Sequence, residues 1–149
     1  MHPLDGLARM TEFTGNNLAY NLEFIPAEKL GWKPAPSAKS ALEIVQHVTG
    51  AVTFMRPVLT GGAFTRSEIP LPADCRSAQE MIRSATREYA AALRQVDPAR
   101  LGEMIELPFG SLPLAQCAGL PPFDVMHHHG QIAYIQTLLG DAEDHFQIG

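Results

Sequence analysis

The sequence has little of what would commit it to several common chemistries. It holds only two cysteines, Cys75 and Cys117, far apart and in no CxxC pair. Neither a disulfide framework nor a thiolate zinc site is expected, and both are read as free thiols. Basic residues are outnumbered, 11 Lys and Arg against 16 Asp and Glu, for a formal net charge of −5. General binding to nucleic acid or to an anionic membrane needs a net basic footprint, so both partners are argued against. No apolar run approaches a bilayer span, and the N-terminus, MHPLDGLARMTEF, lacks the basic start and apolar centre of a signal peptide. A cytoplasmic location is the expectation. No Ser-His-Asp or Cys-His ordering suggests a covalent catalytic route.

What the chain does have is helical periodicity. With 149 residues and 46% hydrophobic content, it suits one compact domain over residues 1–149. Leu4, Leu7, Met10, Thr14, Leu18, Leu22 and Ile25 recur at helical spacing, and Pro26 with the run Gly31 to Pro36 ends that helix. Trp32 is expected to plug this loop onto the core. Ser40 and Glu43 match a capping box for a second helix carrying Ala41, Ile44, Val48, Val52, Met55 and Leu59, with Pro57 late in it and Gly61-Gly62 as its stop. Residues 63–76 read as a long surface connection. Ser77 and Glu80 suggest a second capping box and a third helix running to Val96, before Asp97-Pro98. Met104 to Leu107 and Leu112 to Leu114, around Pro108 to Ser111, predict a short hairpin ahead of the last helix. Four long helical segments without an internal repeat predict an all-α bundle.

The last helical segment, PPFDVMHHHGQIAYIQTLLGD, joins an apolar stripe to three consecutive histidines. Pro121 and Pro122 either start or kink this helix, and Gly140 stops it. At ~100° per residue, Ile132, Ile135, Leu139 and Asp124 all lie within about 40° of His128. His128 is therefore on the buried stripe, while His127 and His129 point to either side. Asp124 and His128, four apart on one face, suit a divalent transition metal. Two ligands are too few, and the best third is His47, at the flank of the second helix's stripe. Asp124 also has an ordinary explanation, since a carboxylate in a helix's first turn is favoured by the helix dipole. Among neighbouring residues, Gln131 and Gln136 are read as polar supports or packing residues, Tyr134 as packing, and the Glu143-Asp144-His145 cluster as a solvated tail. Phe13, Tyr20, Phe24, Phe54 and Phe64 form an apolar surplus that suggests a homodimer.

The LGWKPAP loop, the SALEIVQH start of the second helix and above all HHHGQIAYIQTLLGD resemble the DinB-like (YfiT-like) family of four-helix bundle proteins. The resemblance spans essentially the whole chain. It implies an up-down-down-up bundle with a divalent metal, usually nickel or zinc, near one end of the helices. In that family three histidines commonly hold the metal, one in the second helix and two at HxxxH spacing in the fourth. Here His47 and His128 match two of them, and Asp124 stands where the third histidine is usual. A two-histidine, one-carboxylate set is known for hydrolytic zinc and for non-haem iron, so iron is a further candidate.

Characterised relatives implied by the resemblance include bacillithiol- or mycothiol-dependent S-transferases and a mycothiol-dependent maleylpyruvate isomerase. The expected function is accordingly a metal-dependent hydrolase or thiol S-transferase acting on a small molecule, with a low-molecular-weight thiol as a candidate cofactor. Lys33, Lys39, Arg56 and Arg66 are scattered candidates for receiving such a thiol. The rival expectation is a non-catalytic ligand-binding or stress-related bundle with a metal-free site. Asp124 discriminates between them: turned to solvent it leaves no site, and converging with His47 and His128 it keeps one.

Overall fold

The computed structural model describes residues 1–148. Four long helices carry the fold: α1 Asp5–Asn21, α2 Ala41–Leu59, α3 Cys75–Leu93 and α4 Leu114–Leu138. A two-stranded hairpin, β1 Met104–Leu107 with β2 Gly110–Pro113, precedes α4. α1 packs against α3 and α4, and α2 packs against the same two. Arg94 at the end of α3 reaches Asp5 at the start of α1, while Gln79 at the start of α3 reaches Ala19, so α1 and α3 are antiparallel. Arg56 late in α2 pairs with Glu88 late in α3, and residues 49 and 53 lie beside 81 and 85, so α2 and α3 run parallel. His47 early in α2 meets Asp124 and His128, while Met55 near its end lies beside Pro121, so α2 and α4 are antiparallel. The order is up-down-down-up. The parallel α2–α3 pair requires residues 60–74 to run the length of the bundle, which accounts for that long connection.

The stripes read from periodicity form the core. Leu18, Leu22, Ile44, Val48, Ile82, Leu93 and Ile132 are at most 1% exposed, each stabilising by roughly 1.5–3 kcal/mol relative to exposure. Trp32 packs against this core from its loop. Between α1 and α3, a Cβ on Gly15 would collide with Thr86. Gly15→Ala would therefore force the two helices apart. No described helix is long and apolar enough to cross a membrane.

Boundaries differ from expectation in three places. The Ser40–Glu43 capping box is present, but α3 begins two residues before Ser77. Asp74 is its cap, accepting from Ser77 N at 2.7 Å, and Ser77 is the reciprocal partner of that box. Glu80 instead pairs with Arg76 at 3.2 Å. The hairpin turn is Pro108-Phe109 alone, with Gly110 opposite Leu107 as the first paired residue of β2. Finally, α4 starts at Leu114 and the two prolines lie inside it. Proline at 122 cannot donate to the carbonyl of Ala118. The hydroxyl of the fully buried Tyr89 donates to that carbonyl instead, at 3.1 Å. A tyrosine from α3 thus repairs the backbone bond that Pro122 removes, and burial pushes its phenol far above the usual range.

The five aromatics expected to form an exposed surplus pack within the chain. Phe13 meets Phe146, Tyr20 meets Phe24, and Phe54 meets Phe64, which in turn meets Phe109. All five are half-buried, and the expectation of a homodimer then rests on the family resemblance.

Candidate metal centre

The cap at Ser40 sets the phase of α2. Ile44, Val48 and Val52 face the core, and His47 stands at the edge next to α4, its side chain 46% exposed. On α4, Asp124 and His128 share one face a turn apart. The three side chains converge. Asp124 Oδ1 lies 3.4 Å from His128 Nε2, Asp124 Oδ2 lies 3.7 Å from His47 Nε2, and the potential ligand atoms all fall within 4.8 Å of one another. The two imidazoles meet edge to face, with centroids 4.7 Å apart. Asp124 is about three turns inside its helix, so the helix-dipole explanation for it no longer applies.

The electrostatics of this cluster call for a cation. Asp124 Oδ2 is buried and has no hydrogen-bond partner, a state that costs about 1–3 kcal/mol or more for a charged group. Burial would push the Asp124 carboxyl up, yet its contact with His128 and the surrounding imidazoles hold it below the usual carboxylate range. Gln131 Oε1 lies 2.5 Å from His128 Nδ1. An amide oxygen accepts there, which puts a ring proton on Nδ1 and turns Nε2 towards Asp124. A proton or a metal cation between Nε2 and the carboxylate stabilises that contact. Hydrogen bonding to Asp124 raises the His128 pKa and so favours its charged form, whereas burial lowers that of His47. Two imidazole nitrogens, a carboxylate and an unpartnered buried oxygen fit a divalent transition metal.

The consecutive histidines separate as their helical phase predicts. His127 is exposed and stacks near Phe123. His129 is half-buried and turns the other way, its Nε2 donating to Asn21 Oδ1 at 3.1 Å. Of the residues expected to pack, Tyr134 does not, being 65% exposed. Of the tail expected to be solvated, Glu143 and Asp144 are exposed, but His145 is docked: it stacks on Phe24 with centroids 3.4 Å apart, and its Nε2 contacts Asp141 Oδ2 at 2.7 Å. The sequence reading missed Asn21 and Asn17, which hold this region and carry no motif.

Three cavities meet at the triad. One of about 560 Å³ lies beside His128 and Gln131, under the 34–39 loop. A second, of about 610 Å³, lies across that loop beside His47. The third is smaller, about 300 Å³, and is walled by Met55, Phe64, Phe109 and Phe123 next to Asp124. Of the four basic candidates, Lys33 is bound to Glu43 at 2.8 Å and Arg56 to Glu88. Arg66 lies over Phe64. Lys39 alone lines the cavities beside both histidines while having no ion pair among the described residues.

The family model for the DinB superfamily matches residues 10–132, a span that includes all three triad residues. No curated protein matches the chain. Among solved structures, the fold is similar to the crystal structure of a DinB-like protein, YjoA, from Bacillus subtilis. The two superpose with a TM-score of 0.74 at 19% identity, over 93% of this chain and 94% of that one. At that identity the likeness is one of fold.

Proposed function

The chain belongs to the DinB superfamily, and from that footing we propose that it is a divalent-metal-dependent enzyme acting on a small molecule, with His47, Asp124 and His128 as the metal ligands. The observation that carries this reading is the buried Asp124 Oδ2, left without a protein partner between two imidazole nitrogens. A structural metal site closes with four protein ligands, whereas three ligands opening onto cavities leave room for a substrate. Family membership favours nickel or zinc, and the two-histidine, one-carboxylate donor set adds iron as a candidate.

When bound, the metal supplies a Lewis acid that favours the anion of water or of a thiol near neutral pH. The chain's own residues do the rest. Gln131 fixes the tautomer and orientation of His128, Asp124 offsets the charge of the cation, and the aromatic wall at Phe64 and Phe109 excludes water from one side. Hydrolysis and thiol S-transfer are the two reactions this arrangement supports, with a low-molecular-weight thiol as co-substrate in the second.

The test is metal content by plasma mass spectrometry on tag-free protein purified without chelating resin, since adjacent histidines can collect nickel from a column. One nickel, zinc or iron per chain is expected. Protein that carries none and takes up none when offered is not a metalloenzyme, and the non-catalytic bundle then stands.

A further inference from the structure

The cavity beside His128 differs in charge from the rest of the molecule. The chain is acidic, with a formal net charge of −5. Arg9, Lys33, Arg56, Arg76, Arg94 and Arg100 each face a carboxylate. The cavity of about 560 Å³ is lined by no aspartate or glutamate and by one lysine, Lys39, which has no ion pair among the described residues. The rest of its lining is largely apolar, with Ile44 and Ile135 at its floor and Tyr134 and Gln131 at its side. The cavity across the loop shares Lys39 but also holds the Lys33–Glu43 pair and Glu68, so its lining carries no net positive charge. A volume of this size takes a small organic molecule. An unpaired ammonium at the edge of an apolar hollow selects one with a single anionic group, because the lysine's charge is not already neutralised by the protein.

We propose that this cavity binds a small amphipathic organic acid. Its anionic oxygens lie at Lys39, its apolar body of about one aromatic ring lies over Ile44 and Ile135, and its reacting end is turned towards His128. This assignment of substrate class rests on the reading of the triad as the reactive centre. The anion site itself is built from Lys39 and the cavity wall, independently of any metal.

Calorimetric titration with 3-phenylpropanoate and with the uncharged 3-phenylpropanamide, on metal-loaded and on chelator-treated protein, tests it. The acid is expected to bind about tenfold more tightly than the amide in both states, as a charge-assisted contact predicts. Lys39→Met should abolish that preference while leaving amide binding nearly unchanged, and Lys39→Arg should keep it. In amide NMR spectra the acid should shift Gly130, Gln131 and Tyr134. A preference that survives Lys39→Met, that appears only when metal is present, or that shifts residues elsewhere overturns the proposal, as does failure of the acid to bind. A wild-type protein that takes up no metal when offered, yet prefers the acid through Lys39, would overturn the metalloenzyme reading and leave the anion site standing.

Discussion

His128 and His129 are neighbours on one helix, yet they face two polar clusters built on opposite terms. On the α1 side, His129 donates to Asn21, and Asn21 Nδ2 donates to Gln136 Oε1 at 2.6 Å. Gln136 Nε2 donates in turn to the carbonyls of Asp141 and Glu143 at 3.0 and 2.8 Å. Asn17 completes the cluster by bonding both backbone groups of Gln147. Asn21 and Gln136 there use both amide nitrogen and oxygen within the protein, and the result is a clasp that holds the tail to α1. On the α2 side, Asp124 lies 3.4 Å from His128 and 3.7 Å from His47, and one of its buried oxygens is unpaired. A satisfied network rigidifies a fold, whereas an unsatisfied one stores a cost that a ligand can relieve. The first cluster is satisfied within the protein, and the second is the one the proposed function assigns to a metal.

The largest effect expected from breaking this contrast is at the histidines. His128→Ala should abolish metal binding while circular dichroism stays helical. His129→Ala should keep the metal and lower the melting temperature, and His127→Ala should change neither. Metal retained without His128, or lost without His129, would reverse the assignment of the two clusters.

A second, smaller effect separates stability from function. Gln136→Ala strands the donor of Asn21 and two carbonyls, and should cost about 1–3 kcal/mol in denaturant unfolding. Asp124→Asn, measured on metal-free protein, should cost less than Gln136→Ala, because the contacts of the carboxylate with the imidazoles are offset by a buried oxygen that has no partner. A large loss of stability from Asp124→Asn would mean that the triad is a structural element.

The smallest effect is in acid. The Glu143 amide, and after it His145, hold the Asp141 carboxyl below its usual range. A lowered carboxylate contributes its stability above the unfolded value and loses it as pH falls through the folded one. The tail should therefore stay docked at neutral pH and loosen only below about pH 4, as read from hydrogen exchange at Phe146 and Gln147. The metal centre should respond earlier in the same titration, since protons compete with metal for its imidazoles. Simultaneous loss of metal and tail would show that the clusters are coupled.

How much of this was legible in the residues depends on whether the information was local. The capping box at Ser40 and the phase of His128 relative to Ile132 and Ile135 depend on neighbours within two turns, and both were readable. So was the separation of His127 and His129 from the site. Local pattern did not choose between a start and a kink at Pro121 and Pro122, which carry the usual mark of a helix boundary; the helix passes through them with help from Tyr89, 33 residues before Pro122. A start at those prolines is the reading under which Asp124 resembles a first-turn acid. The docking of His145 on Phe24 was hidden for the same reason, since a polar tail gives no sign of the surface it will meet.

The sequence by itself determined the four helices, their buried faces and the identity of the three residues that could share a metal, because helical phase follows from spacing of 3.6 residues per turn. Tertiary structure alone decided that these three converge, that Asp124 keeps one oxygen unpaired, and that Lys39 rather than Lys33 faces the cavity. Those outcomes depend on which partner each charge meets across helices, and a partner distant in the chain leaves no trace in local pattern.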